Sequence, residues 1–169
     1  VLLFAIALGG LAVVRDSRNA QARAAEVEAL RGSVTGMANL LARHKVADDD
    51  AEPALRSNLD RLRQLRESGA IDTAALVPVA ELLCEHGIRL GMPGYRHSGN
   101  LLLSERMLRE ARAFVRQALR QGGASIPSRI LAAKAADAHA SVLLELGHYG
   151  EVPAIVEEAL PLTLNYLGP

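Results

Sequence analysis

The chain has few aromatic residues and almost no cysteine. It has no tryptophan, two phenylalanines, three tyrosines and a single cysteine, Cys84, in 169 residues. One cysteine excludes an internal disulfide, so cysteine usage leaves the redox compartment open. The core must come from Ala, Leu, Val and Ile, which suits closely packed helices because alanine lets backbones approach one another.

An excess of charge of either sign is also missing. Lys plus Arg and Asp plus Glu both number 19. A protein that binds nucleic acid ordinarily carries a basic face, and no basic run interleaved with aromatics occurs here. Nucleic acid is therefore not expected as a partner, and the richness in Ala, Arg and Leu favours a bacterial source.

The sequence lacks motifs that carry catalysis or bind metals. The five histidines are scattered, and no nucleophile elbow or phosphate-binding glycine motif is present. The acidic run 48–50 lacks the spaced ligands and central glycine of a calcium loop. The sequence therefore predicts no enzyme, no cofactor and no metal site, and Cys84 is expected to be a small buried group.

The first residues avoid water. Residues 1–14 carry no charge and are followed at once by Arg15, Asp16 and Arg18. A spanning helix needs about 20 apolar residues; because the chain begins with Val, we expect residues 1–16 to be a transmembrane anchor truncated at its start. A signal-peptide core and a buried helix are the alternatives. The expected location is the bacterial inner membrane, single-pass, with the side of the remaining domain undecided because only one flank is present.

A heptad seam follows, within an amphipathic helix predicted over residues 17–46. The seam consists of Ala20, Val27, Val34 and Leu41, with Leu30 and Met37 offset by three. Such a seam packs either on its own domain or on a second copy, which would give a parallel homodimer through residues 20–41. Gly32 and Gly36 interrupt the pattern and favour the first alternative.

Residues 54–169 are predicted to form one helical domain after a break at the acidic run and Pro53. Helices are expected at 54–67, 73–88 and 101–121, and from 125–128 to about 145. The stretch 87–99 is rich in Gly and Pro and is predicted to be a loop. Its Arg89, Tyr95 and Arg96 are candidate contacts for a partner or an anionic ligand, with a plain connector as the alternative.

Residues 133–162 resemble a tetratricopeptide repeat. The resemblance rests on Ala136 and Ala140 in a first helix, the turn Gly147-His148-Tyr149, and Val152, Val156, Ala159 and Leu160 in a second helix. Residues 110–119 resemble the second helix of a preceding unit, whose first helix would be 73–88. Repeats of this type are helical hairpins that stack and bind proteins on a concave surface.

The resemblance implies an all-α fold in which a transmembrane helix precedes a bundle of antiparallel helical hairpins. It also implies that the aromatic ring of Tyr149 closes over the turn. The residues that it would turn toward the concave surface are Lys134, Asp137, Ser141, Leu144 and Glu145.

Two functions fit these expectations. The first is a membrane-anchored scaffold or accessory subunit of a bacterial membrane complex, which binds other membrane or membrane-associated proteins. The second is the sensory or dimerisation region of a receptor. Oligomeric state separates the two, because only the receptor needs the seam at residues 20–41 to pair two copies.

Overall fold

The computed structural model describes residues 2–42, 51–91, 100–122 and 125–164, and all of its regular structure there is helical. The helices are α1 (Leu2–Ala42), α2 (Ala51–Glu67), α3 (Thr73–Gly91), α4 (Leu101–Arg120), α5 (Ile126–Glu145) and α6 (Val152–Leu164). A 3₁₀ turn at Tyr149–Glu151 precedes α6. The predicted all-α class is confirmed.

Helices α3 and α4 form the antiparallel centre of the bundle. The Thr73 hydroxyl at the start of α3 donates to the Gln121 side chain just after α4 at 2.8 Å. At the other end of α3, Gly87 packs so closely on α4 that an added Cβ would lie 2.7 Å from Cγ of Leu108. The Ser104 hydroxyl then donates to the Gly87 carbonyl at 2.6 Å. Two helices approach this closely only where a side chain is missing.

This contact corrects the predicted loop at 87–99. Helix α3 continues to Gly91, where an added Cβ would lie 2.6 Å from Cβ of Ser104. Gly87 and Gly91 are therefore contact residues of a helix rather than loop residues. Residues 92–99 lie outside the described residues.

Helix α1 packs on α2 and α3 through its C-terminal half. Val27, Val34 and Ala38 are buried in the common core, whereas every side chain from 17 to 25 is exposed. The Arg61 guanidinium of α2 donates to Glu26 at 2.6 Å. The heptad seam is thus used within the chain, and two residues that a homodimer through 20–41 would need are already covered.

No helix in the described ranges has an apolar stretch long enough to cross a membrane. Helix α1 is continuous from Leu2 to Ala42, but its uncharged part ends at Val14, before Arg15. That stretch is shorter than the roughly 20 residues that a span requires. The transmembrane helix predicted at 1–16 is not found there, and no element boundary separates it from the helix predicted at 17–46. Residues 43–46 lie outside the described part of the chain.

Helix α2 begins earlier than predicted. It starts at Ala51, so Pro53 lies in its first turn, where a missing N–H leaves no helical hydrogen bond unmade. The buried stripe of α2 agrees with its predicted leucine spacing and consists of Leu55, Leu59, Leu62 and Leu65.

The terminal hairpin is made by α5, the 3₁₀ turn and α6. The Ser125 side chain accepts the backbone N–H of Ser128 at 3.3 Å and caps the start of α5. The helix ends at the predicted turn, where Gly147 has a φ of +77° and the backbone N–H of His148 donates to the Leu143 carbonyl at 2.8 Å. Tyr149 is 65% exposed, and Cε2 of its ring lies 4.0 Å from the position that a Cβ on Gly147 would occupy.

Candidate functional site

Exposed apolar side chains are concentrated on the terminal hairpin. Among the described residues eight large hydrophobic side chains are exposed, and six belong to α5, α6 or the turn between them. The six are Ile126, Ile130, Leu144, Tyr149, Val156 and Leu160. An exposed apolar cluster is typical of a contact surface, whereas scattered apolar residues are ordinary.

One side of the hairpin combines most of these residues with the predicted contact residues. We call this side the hairpin face and define it by Ile126, Ile130, Lys134, Asp137, Ser141 and Leu144 of α5 with Val156 and Leu160 of α6. Its α5 members are spaced by three or four residues, so they follow one side of that helix. The hairpin face is therefore a continuous stripe rather than a set of isolated positions.

A groove of about 200 Å³ runs between α5 and α6 on the hairpin face. It is lined by Ala133, Ala136, Asp137, Ala140, Val156, Ala159 and Leu160. Ala136 and Ala140 pack with Leu143 and Ile155 in a small apolar cluster between the two helices. Short alanine side chains bring α6 close to α5 and leave the groove open above them.

The structure brings five of the eight predicted contact residues together. Lys134, Asp137, Leu144 and Glu145 are exposed and Ser141 is half-buried, all on α5. Of these five, only Asp137 lines the groove. The tetratricopeptide resemblance implied these contact residues, and the position of α6 decides which of them borders the groove.

Of the other three predicted residues only Arg89 is described, and it does not join this face. Arg89 lies on α3 rather than in a loop, and its guanidinium donates to Glu85 one turn earlier at 2.6 Å. That exposed i, i+4 pair is an ordinary surface interaction. Tyr95 and Arg96 lie outside the described residues.

Sequence reasoning missed the part that Ile126 and Ile130 play in the hairpin face. They are 62% and 53% exposed and extend the apolar stripe toward the start of α5. Their spacing from Ala133 and Asp137 was a usable signal, because it repeats every three or four residues. The sequence did not show which side of α5 the other helices leave uncovered.

A buried polar network lies behind the hairpin face and joins α4 to α5 and α6. The side chains of Glu105, Arg112 and His139 are 7%, 7% and 2% exposed. Nε2 of His139 lies 3.0 Å from Oε1 of Glu105, and a guanidinium nitrogen of Arg112 lies 2.9 Å from Nδ1 of His139. Because guanidinium only donates, Nδ1 accepts and the proton of the neutral ring belongs on Nε2, facing Glu105.

The network continues to α6 through a carboxylate. Arg112 donates to Glu158 at 2.7 Å, and Arg116 donates to the same oxygen at 3.1 Å. Helix α6 is short and buries few side chains, so these charge-assisted bonds fix its position. No local feature of the sequence indicated these partners of His139.

In this network, burial shifts the pKa values of the charged groups in one direction and pairing with opposite charges shifts them in the other. Burial lowers the pKa of Arg112 below its usual value, although Glu158 favours the charged form. Burial also acts to raise the pKa of Glu105, but hydrogen bonds from His139 and Arg109 outweigh it, so that pKa is lowered. Nε of Arg112 is buried without a hydrogen-bond partner. The pairing keeps Glu105 ionised and ties the three helices together.

A second cavity of about 550 Å³ lies between α1 and the start of α3. It is bordered by charges of both signs, and several of these are engaged within the chain. Arg31 donates to Glu28 at 2.8 Å, and Asp72 accepts the backbone N–H of Ala74 at 3.4 Å. We therefore place the candidate site on the hairpin face, where the apolar surface is uncovered.

Other reactive groups do not form a site in the described part of the chain. Cys84 is 1% exposed, and burial raises the pKa of its thiol to about 11, which agrees with the predicted small buried group. No three His, Cys, Asp or Glu side chains among the described residues lie together as a metal site would require. Glu105 and His139 line neither of the two cavities described above.

No known protein family, curated protein or solved structure matches this chain. The tetratricopeptide resemblance of residues 133–162 thus stays a prediction.

Proposed function

We propose that this chain is a membrane-anchored helical scaffold that holds another protein against its hairpin face, as an accessory or assembly subunit of a bacterial membrane complex. The observation that carries the proposal is the concentration of exposed apolar side chains along α5 and α6, with a groove between the helices. An uncovered apolar stripe gains free energy when a partner removes it from water.

The buried network supports a preformed contact surface. Arg112 reaches both His139 of α5 and Glu158 of α6, so the two sides of the groove are held at a fixed spacing. A rigid surface loses less conformational entropy on binding than one that must be ordered. This is the property expected of a scaffold.

The packing of α1 against the chain's own helices favours the scaffold hypothesis over the receptor hypothesis. Val27 and Val34 are buried against the chain's own helices, so a dimer seam through them would require the bundle to open. In the proposal, the uncharged residues 1–14 attach the chain to the membrane, and helix α1 carries the bundle away from it. Helical hairpins α3–α4 and α5–α6 then act as repeat-like units, of which the second presents the contact surface.

Gentle solubilisation of membranes from the source cells tests the proposal. The chain should co-purify in a complex larger than itself, and Val156→Asp should release the partner because it places a charge beside the groove. Leu102→Asp is the matched control, since Leu102 is an exposed apolar residue of α4 outside the hairpin face. A chain that runs alone, or a partner released equally by both substitutions, would contradict the proposed function.

A further inference from the structure

The carboxylates of the hairpin differ from those of the rest of the bundle. Among the described side chains, nine Asp or Glu residues form ion pairs with Arg, and Glu151 lies 3.6 Å from a ring nitrogen of His148. Asp72 forms none but caps α3. The others without an ion pair are Glu81, Asp137, Glu145 and Glu157, and three of these four belong to α5 or α6. Among the described residues, most carboxylates without an ion pair therefore belong to the terminal hairpin, where Glu158 is paired with Arg112 and Arg116.

Asp137 holds the critical position among them. It is the only charged residue that lines the groove, and it lies between Ala133 and Ala140 on α5. Lys134, the one exposed cation of α5, is a turn away, forms no ion pair with Asp137 in the described structure and does not line the groove. A partner that covers the groove therefore covers the Asp137 carboxylate, and a buried carboxylate without a cation is strongly unfavourable.

The shape of the hairpin face suits a third helix. The apolar stripe of α5 extends from Ile126 to Leu144, which corresponds to roughly 27 Å of helix at 1.5 Å per residue. The alanines between α5 and α6 leave a shallow channel parallel to both helices, and an amphipathic helix fills such a channel with residues spaced by three or four. An extended strand would instead need an open sheet edge, and the described structure contains no strand.

We infer that the groove binds an amphipathic helix of another polypeptide that carries one Lys or Arg within its apolar stripe, at the level of Asp137. The inference rests on the proposed function and specifies the partner. The cation of the incoming helix neutralises Asp137 as water is excluded, and the flanking apolar residues cover Ile130, Leu144 and Val156. The exposed carboxylates of Glu145 and Glu157 on the same hairpin add attraction for a basic partner.

A second copy of this chain fits less well as the occupant. Its hairpin would bring the same excess of carboxylates, so two such faces would place like charges near one another. Negative charge on both faces opposes association. Self-association is therefore an outcome that the test must be able to detect.

The test is a selection of displayed helices by the full chain. The library consists of helices of about 20 residues with a fixed Leu and Ala stripe, in which one central stripe position carries all amino acids. Wild type should enrich Lys and Arg over Asp and Glu at that position by roughly tenfold or more, and Asp137→Lys should invert the preference. Leu102→Asp should behave as wild type, whereas Val156→Asp should enrich nothing.

The opposite outcomes overturn the inference. Enrichment of apolar residues at the central position, the same preference with Asp137→Lys, or no enrichment by wild type would each exclude a basic helix as the ligand. Sedimentation that finds wild type dimeric and Val156→Asp monomeric would assign the groove to a second copy. If Val156→Asp still releases a native partner from membranes while the selection fails, the scaffold function stands and only the basic helix is wrong.

Discussion

Replacing Gly87 by alanine should destabilise the bundle, although alanine is the better helix former. In the middle of a helix the exchange stabilises by up to about 1 kcal/mol. At this position the new Cβ would lie 2.7 Å from Cγ and 3.0 Å from Cδ2 of Leu108, a fully buried residue. Carbon atoms in contact are normally separated by about 3.5–4.0 Å, so Leu108 or the whole of α4 must move.

The size of the effect follows from these opposing contributions. Overpacking of a core costs about 1–3 kcal/mol, and displacement of α4 also stretches the 2.6 Å bond from Ser104 to the Gly87 carbonyl, a loss of about 1 kcal/mol. After the helix-propensity gain we expect a net loss of about 2 kcal/mol. For a chain of this length that corresponds to a fall in Tm of roughly 4–8 °C.

Gly36→Ala is the matched control. Gly36 lies in α1, and an added Cβ there meets no atom within 4 Å, so only the helix-propensity gain remains. Its Tm should rise by a few degrees, on the order of 1–4 °C. Thermal unfolding followed by circular dichroism in one detergent buffer compares both variants with wild type. A rise in Tm for Gly87→Ala equal to that for Gly36→Ala would refute the close α3–α4 contact.

Three further predictions concern the hairpin, a buried histidine and a helix cap. Glu158→Gln should weaken the hydrogen bonds from Arg112 and speed amide exchange in α6, because it lowers the stability of that helix by about 1–2 kcal/mol for a partly exposed pair. Glu157→Gln breaks no ion pair and should leave amide exchange unchanged. Equal effects of the two substitutions would contradict the role of Glu158 in holding α6 to α4. Burial lowers the pKa of His86 below 6.5, assisted by the charge of Arg89, so the stability it contributes is present above pH 6.5 and is lost as the pH falls through its folded pKa. The urea midpoint of wild type should therefore fall further than that of His86→Gln when the pH is lowered from about 7.5 to about 5.5. Equal falls of the two midpoints would exclude a buried neutral imidazole. Asn100→Ala should lower the free energy of unfolding by about 1 kcal/mol, because the Asn100 side chain accepts the Leu103 N–H at 3.1 Å. The loss is measured as a lower urea midpoint, and an unchanged midpoint would mean that this cap does not stabilise α4.

The ends of the helices could be predicted wherever a local signal decides them. Ser125 accepts the N–H of Ser128 at the start of α5, and Gly147 adopts a positive φ after its end. Both depend on residues within one turn, so the sequence contains all the information required. The glycines of α3 are the opposite case. Gly87 and Gly91 suggested a loop, but their role depends on Leu108 and Ser104 of a different helix.

The hairpin face could be predicted in part. The tetratricopeptide resemblance implied that Lys134, Asp137 and Ser141 share one side of a helix. The buried network could not be predicted, because His139 meets Glu105 across 34 positions of sequence and nothing near either residue indicates the other. The heptad seam was ambiguous for a related reason: Val27 and Val34 have the same pattern whether the covering helices belong to the chain itself or to a second copy.

Site-specific photocrosslinking can show directly whether the hairpin face contacts another polypeptide of a membrane complex. A photoreactive amino acid is incorporated at Val156 in the full chain, and at Leu102 as the control, in cells of the source organism. We expect one distinct heterologous adduct from position 156, absent at position 102 and strongly reduced when Asp137→Lys is combined with the probe at 156. Equal labelling at both positions, or no adduct at 156, would contradict the proposed contact.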